Sequence, residues 1–308
     1  MKLKSHAKLN LTLDIHAKLK NGLHDIQSNV SLLNLHDEIY VNKSRFKDKI
    51  KFYGKFSGHV RSKNNSIFNA LKILRKHKLI NNFYNIKVKK NIPVFAGLGG
   101  GTSNAYFLIK HLTRNKVLKK KVERDIIGKI GTDYNLFHFK RSYQKNLNFY
   151  KTYEANFSFY FLLVYPFIKC RTSDIYKSLK KVNKFRSQNF SRIKKKEIFI
   201  KKVSNERNYL QAIVNQKYPK INKILKEIGN QKGCTFSRVT GSGSVSYGLF
   251  KNQKNAKKAA RTRCPHRWRR TARPWRASCG GSTRLSPGFR MAEARGSPRG
   301  WLICAPSC

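Results

Sequence analysis

Residues 93–105 read Pro-Val-Phe-Ala-Gly-Leu-Gly-Gly-Gly-Thr-Ser-Asn-Ala, with four glycines inside positions 97–101. Glycine buries no side chain and costs conformational entropy to order. A run of it belongs where the backbone must approach something closely. Thr102 and Ser103 follow at once, and then apolar residues fall at helical spacing (Ala105, Leu108, Ile109, Leu112). A glycine-rich turn at a helix N-terminus offers free N–H groups to an anion, most often a phosphate. The run does not end in Gly-Lys-Ser/Thr, so it is not a Walker A loop. Thr102 stands where the dinucleotide fingerprint needs its third glycine. A second group of polar residues stands near the N-terminus, where Lys8 and Asn10 lie two apart on one face of a predicted strand.

The elements that must carry these residues follow from periodicity. Ala7, Leu9, Leu11, Leu13 and Ile15 alternate with polar residues and predict one opening strand, followed by a turn at Asn21-Gly22. Ile39-Tyr40-Val41 reads as another strand. Tyr84, Ile86 and Val88 alternate just before the glycine loop. Ile67, Ala70, Leu71 and Leu74 mark a helix, and so do Val122, Ile126 and Ile130, which lead to Gly131-Thr132-Asp133. A second domain is expected from about residue 150, with a buried strand over Phe157–Tyr165 stopped by Pro166. It has a helical face at Ile221, Ile224, Leu225 and Ile228, and a glycine turn at Gly241-Ser242-Gly243-Ser244 before a last strand at Val245, Tyr247 and Leu249. Strands and helices mix without a regular βαβ repeat, so the class is α+β.

A length of 308 residues fits roughly two domains. The longest apolar run, Phe159–Tyr165, is too short to cross a bilayer. Met1-Lys2-Leu3-Lys4 is not followed by a signal-type apolar region, so a soluble cytoplasmic protein with no membrane partner is expected. The formal charge of +53 is spread along the chain and not gathered into a patch. It reads as a solvated basic surface that attracts anionic substrates, and nucleic-acid binding is expected only as non-specific attraction to that surface or to the tail. Cys170 and Cys234 are isolated and expected free. Cys264, Cys279, Cys304 and Cys308 fit no zinc spacing, and no metal-ligand cluster is visible.

The chain changes composition near residue 259. All 45 lysines precede Ala260, while the segment 260–308 holds 11 arginines and all three tryptophans, with no asparagine, aspartate or tyrosine. Such a break reads as a switch from AT-rich to GC-rich coding, as a frameshift or a chimeric gene gives. The expected organisation is therefore 1–150, 151–259 and a basic, disordered, non-family tail over 260–308.

Three segments taken together resemble the motifs of the GHMP kinases. They are Ala7-Lys8-Leu9-Asn10-Leu11 with Asn21-Gly22-Leu23-His24, the glycine loop, and Ser237-Arg238-Val239-Thr240-Gly241-Ser242-Gly243-Ser244. The resemblance covers about residues 3–258. Its first motif is similar to that of the branch acting on a cytidine-diphosphate sugar alcohol of isoprenoid synthesis. It implies the two-domain α+β GHMP-kinase fold, an N-terminal ribosomal-protein-S5-domain-2-like domain plus a C-terminal α+β domain, with both substrates in the cleft between them. It implies ATP, with Mg2+ as the partner of ATP only. Pro93, Gly97, Leu98, Gly99, Gly100, Gly101, Thr102 and Ser103 would cradle the triphosphate, Thr102 replacing the usual serine. Asp133 would be the catalytic base, with Lys8 orienting it and stabilising charge on the attacking oxygen.

On the substrate side the resemblance implies roles for Asn10, His24, Tyr176, Thr240, Gly241 and Ser242, with His24 reading the cytosine and Tyr176 stacking on it. The chain departs from the family at Leu23, where an aromatic is usual, and at Tyr134-Asn135-Leu136-Phe137, where Val-Pro and an aromatic are usual. Beyond the third motif the family adds a helix and a strand. Two other readings stay open at this point: another small-molecule GHMP kinase, and an inactive homologue that binds RNA through its basic surface.

Overall fold

The computed structural model describes residues 1–19, 22–61, 63–179, 189–262 and 301–306. The first unit is a seven-stranded sheet built around one long strand. β1 (Lys2–Asn10), β2 (Asp14–Lys18) and β3 (His24–Ser44) come first. β4 (Lys49–Tyr53), β5 (Phe83–Lys89), β6 (Arg141–Gln144) and β7 (Tyr150–Thr152) complete it. The path runs β4-β5-β3-β6-β7, and β1 and β2 pair with β3 as well. All pairs are antiparallel except β4 with β5. A pattern of alternation explains β5: Tyr84, Ile86 and Val88 are buried while Phe83 and Lys87 are exposed.

Helices α1 (Ser66–Lys76), α2 (Gly100–Leu112) and α3 (Lys120–Lys129) cover one face of this sheet. Asn65 caps α1 by accepting from Phe68 N at 2.9 Å, a bond typical of an asparagine N-cap. Ile67, Ala70, Leu71 and Leu74 are buried, as their spacing predicts.

The second unit has the strand order β11-β8-β10-β9, from β8 (Tyr160–Tyr165), β9 (Cys234–Val239), β10 (Ser246–Phe250) and β11 (Trp301–Pro306). Helices α4 (Thr172–Lys177), α5 (Lys196–Ser204), α6 (Gln211–Lys217), α7 (Pro219–Gly229) and α8 (Gln253–Thr262) accompany it. A shared apolar core joins the units: Ala7, Leu9 and Leu11 of the first pack with Phe159, Phe161 and Tyr247 of the second. Among the described residues no helix is long and apolar enough to cross a membrane.

Three sequence expectations change. The opening strand is two strands, because the chain leaves the ladder at Leu11-Thr12-Leu13. There Thr12 Oγ1 accepts from Asn29 N at 2.9 Å, Leu13 bridges to Asn208, and Arg238 donates to the Leu11 carbonyl. Apolar alternation continues through the break and conceals it. The first sheet continues through β7 to Thr152, two residues past the expected domain limit. The tail is not wholly without structure. α8 continues through Ala260 to Thr262, and Trp301–Pro306 pairs antiparallel with β8, along its outer edge. A short apolar run needs only an unpaired strand edge to dock in this way. Residues 263–300, 307 and 308 lie outside the described residues, as does Asn21 of the predicted turn.

Candidate active site

Lys8 sits near the end of β1, just after a register shift between His6 and Lys8. A bulge of this kind re-aims a side chain. The Lys8 side chain is buried, and its Nζ lies 3.0 Å from Asp133 Oδ2. Nζ also donates to Asn10 Oδ1 at 2.6 Å. Asn10 Nδ2 donates in turn to Ser28 Oγ at 2.8 Å. Both ends of the Asn10 amide are thus engaged within the protein, and Asn10 holds Lys8 rather than standing free for a ligand. The Lys8 backbone N–H binds the Leu98 carbonyl at 3.0 Å, which fastens β1 to the glycine loop. Leu98 itself points into the shared core.

The loop does start a helix. Gly99 is the N-cap of α2 in the left-handed region, at φ 66°. The first bond back to the cap runs from Ser103 N to Gly99 O at 2.9 Å. The N–H groups of Gly100, Gly101 and Thr102 precede it, the position in which helix donors lack an intrahelical partner. The close approaches at Gly97 and Gly99 are made by protein. A Cβ on Gly97 (φ 77°) would fall 2.2 Å from the Thr240 carbonyl oxygen, and one on Gly99 would fall 2.9 Å from Lys8 Cγ. These two glycines let the other motifs reach the loop, in addition to any contact with phosphate.

Thr102 and Ser103 separate in role. Thr102 Oγ1 faces the turn before Asp133, 3.0 Å from where a Gly131 Cβ would stand. Ser103 is fully buried; its hydroxyl donates to the His6 carbonyl at 2.6 Å and lies 2.7 Å from Ser5 Oγ. Its side chain joins α2 to β1 and does not face the loop opening. Pro93 is buried at the start of the loop. Asp133 is the second residue of a 3-10 turn, Thr132–His138, entered through Gly131 at φ 146°. Its carboxylate is partly exposed.

The third motif closes on the other two. Asn10 N donates to Thr240 Oγ1 at 3.1 Å. A Cβ on Gly241 would fall 3.3 Å from Asn10 Oδ1. Ser242 Oγ lies 3.0 Å from Thr172 Oγ1, at the start of α4. His24 opens β3, and its ring centroid is 4.7 Å from that of Tyr176 on α4, tilted by 43°. Burial, and then the Lys18 charge, lower the His24 pKa below 6.5. Burial, and then the Asp133 charge, raise that of the Tyr176 hydroxyl. A neutral imidazole and a protonated phenol can each donate a hydrogen bond. Leu23 is exposed next to His24.

A supporting network under the loop was not legible in sequence. Lys90 and Asp37 form an ion pair buried to within a few percent on both sides. Asp37 Oδ1 accepts from Asn91 N at 2.7 Å and Ile92 N at 2.8 Å, the two residues entering the loop. Asn104 on α2 receives Lys90 Nζ at 3.0 Å, and donates to Asp37 Oδ2 and to Ser5 Oγ, each at 2.9 Å. Asn208 Nδ2 pins the third motif by donating to the carbonyls of Val239 and Gly241, both at 2.7 Å. Asp37 and Lys90 each sit at the end of an alternating pattern and read there as solvated charges; only the tertiary contact marks them.

Comparison with known proteins comes to the same place. The family description GHMP kinases N terminal domain matches residues 65–135, and GHMP kinases C terminal matches residues 195–265. A 4-diphosphocytidyl-2-C-methyl-D-erythritol kinase of Pelagibacter ubique is 36% identical over 264 residues, 84% of this chain and 92% of the relative. One of the same name from Caldanaerobacter subterraneus is 30% identical, over 81% of this chain and 88% of its own length. Among solved structures, a 4-(cytidine 5'-diphospho)-2C-methyl-D-erythritol kinase superposes with TM-score 0.64 at 19% identity, covering 85% of this chain and 94% of that one. Homoserine kinase of Cytophaga hutchinsonii superposes with TM-score 0.61 at 14% identity, covering 84% and 88%. The two solved structures bear on the fold alone.

Proposed function

The chain belongs to the GHMP kinases, among the 4-diphosphocytidyl-2-C-methyl-D-erythritol kinases, and from that premise we propose how its own residues carry the reaction. The substrates are ATP and 4-diphosphocytidyl-2-C-methyl-D-erythritol, and the γ-phosphoryl group passes to the 2-hydroxyl of the sugar alcohol. The observation that carries the reading is the Lys8 Nζ–Asp133 Oδ2 pair at 3.0 Å, set against Gly99 at the start of α2.

Phosphoryl transfer asks the protein mainly for positioning and for neutralisation of charge. The N–H groups of Gly100, Gly101 and Thr102, at the positive end of α2, hold the phosphates. Asp133 takes the proton of the attacking hydroxyl as its oxygen bonds to phosphorus and the bond to the ADP oxygen breaks. Lys8 keeps the Asp133 carboxylate in place and meets the developing negative charge. His24 reads the cytosine edge and Tyr176 supports its ring. Asn10, Thr240, Gly241 and Ser242 shape the acceptor side of the cleft.

Mg2+ is part of the proposal. Thr102 Oγ1 and the Asp133 carboxylate are oxygen donors at one end of the loop, and Mg2+ bound through phosphates takes only one or two protein oxygens. Bound there, it would neutralise phosphate charge. The free thiols of Cys170 and Cys234 agree with a reducing compartment, and the proposal places the enzyme in the cytoplasm. The test is ATP-dependent phosphorylation by the purified full chain, with 4-diphosphocytidyl-2-C-methyl-D-erythritol, homoserine and mevalonate compared as acceptors. ADP release with the first alone supports the reading, and release with another acceptor or with none overturns it.

A further inference from the structure

A group of polar side chains beside Asp133 has no part in the reaction as described above. It comes from the β6–β7 hairpin and the 3-10 turn. Gln144 ends β6, paired with Ser28 on β3 and with Tyr150 on β7. Residues paired directly across strands put their side chains on the same face of a sheet. That face is the one that carries the site, because Ser28 Oγ accepts from Asn10 Nδ2. Ser28, Gln144 and Tyr150 therefore form a row leading away from Asn10 and Lys8.

The far end of the row returns to Asp133. Burial raises the Tyr150 pKa first and the Asp133 charge raises it further, while the Gln144 and Asn135 side chains close to the same hydroxyl lower it. Tyr150 donates its proton to the Leu147 carbonyl at 2.7 Å, so its oxygen keeps lone pairs for another donor. Gln144 is 0% exposed. It lies next to that hydroxyl, yet neither its amide nitrogen nor its oxygen has a partner in hydrogen-bonding geometry within the protein. Buried carboxamides are almost always paired, and an unpaired one is costly.

We propose that Gln144 and Tyr150 form a subsite for the polyol part of the acceptor, binding hydroxyls next to the one that is phosphorylated. The inference rests on the kinase reading above. The chemistry selects this ligand. A hydroxyl both donates and accepts, as does a carboxamide, and a phenolic oxygen can accept in addition. A diphosphate would meet the negative charge of Asp133 there. A nucleobase has its own place at His24 and Tyr176, and the hairpin connects the two ends, since Leu147 packs in the same apolar cluster as Tyr176.

The test uses Gln144→Leu, which keeps size and removes the polar atoms, and Tyr150→Phe, in the full chain. Steady-state kinetics are measured with ATP and 4-diphosphocytidyl-2-C-methyl-D-erythritol, together with inhibition by cytidine diphosphate, which lacks the polyol. The expected result for Gln144→Leu is an acceptor KM raised roughly tenfold, with the ATP KM and the cytidine diphosphate inhibition constant unchanged and thermal stability kept or raised. Tyr150→Phe, which removes the second polar atom of the subsite, is expected to raise the acceptor KM by a smaller factor, again with the ATP KM and the cytidine diphosphate inhibition constant unchanged. An acceptor KM within twofold of the unsubstituted chain for Gln144→Leu overturns the subsite. Equal weakening of cytidine diphosphate also overturns it, by assigning Gln144 to the nucleotide. If Gln144→Leu does not fold, Gln144→Met is measured in its place under the same criteria. Failure of the unsubstituted chain to phosphorylate the acceptor is a different outcome and counts against the kinase reading itself.

Discussion

Gly97 and Thr240 stand 143 residues apart in the chain, yet a Cβ on Gly97 would fall 2.2 Å from the Thr240 carbonyl oxygen. The glycine loop of the first unit and the glycine turn of the second are in backbone contact. Gly97 also holds φ 77°, a conformation that costs other residues about 1–2 kcal/mol.

Gly97→Ala should therefore separate the two motifs. Alanine adds both the φ penalty and a clash with backbone, which cannot swing away as a side chain can. Thermal unfolding should show a loss of roughly 1–3 kcal/mol, and steady-state kinetics should show a raised ATP KM. Gly101→Ala is the control, since its Cβ would meet nothing nearer than Ser66 Oγ at 3.6 Å, and its unfolding temperature should stay close to that of the unsubstituted chain.

Asp133→Asn should lose at least about 10²-fold in kcat, the lower end of what a positioned base contributes. Circular dichroism should be unchanged, because Asp133 is partly exposed near the start of a turn. Lys8→Met should lose a comparable amount while the fold survives. Retention of more than a tenth of normal kcat in either variant would remove that residue from the mechanism.

His24 is held below its usual pKa by burial and then by Lys18. A group whose folded pKa is depressed favours folding above its unfolded value and withdraws that stability as pH falls through the folded value. The neutral ring should therefore persist through pH 7 and down past 6.5. Acceptor KM should be flat across neutral pH and rise only on further acidification. An NMR titration of the His24 ring should give a midpoint under 6.5, and His24→Gln should abolish the acid rise in KM.

The Lys90–Asp37 pair is buried on both sides, and removing one partner leaves an uncompensated charge. Lys90→Met should cost about 3–5 kcal/mol in denaturant unfolding. The double change Lys90→Met with Asp37→Asn should cost less than the sum of the two single changes, because the second removes the orphaned charge. Strict additivity would mean that the pair is not coupled.

A chain ending at Thr262 loses β11 and exposes the edge of β8. An open edge bearing Phe161, Leu162, Leu163 and Val164 invites pairing between chains. Size-exclusion chromatography of that truncation should show larger species, whereas the full chain should elute without them.

Much of the site was legible because local physics writes it locally. The glycines before Thr102 and Ser103 announced a helix start, and α2 begins there at Gly100. The alternation at Tyr84, Ile86 and Val88 gave β5, and the spacing of Ile67, Ala70, Leu71 and Leu74 gave α1. Motif order alone placed Lys8, His24 and Asp133 together as candidates; Lys8 does lie against Asp133, and the His24 ring lies against that of Tyr176, a contact the sequence did not suggest. Ser103 was misread because its type and place suit a phosphate, while its rotamer is set by the His6 carbonyl on another strand. The break at Leu11–Leu13 was hidden because apolar alternation continues through it.

The sequence by itself determined the strongly periodic elements, the α+β class and the inventory of reactive groups, since each follows from contacts among near neighbours in the chain. The tertiary structure alone decided which of those groups face one another. Asn10 meets Thr240 across 230 residues, Lys90 meets Asp37 across 53, and Gln144 is buried beside Tyr150 without a partner. Such pairings depend on how β1, α2 and the second sheet pack against one core, and no spacing within a single segment encodes them. The glycine loop carries both kinds of information: its composition fixes where a helix can begin, and its missing side chains matter only once Lys8 and Thr240 have been folded against it.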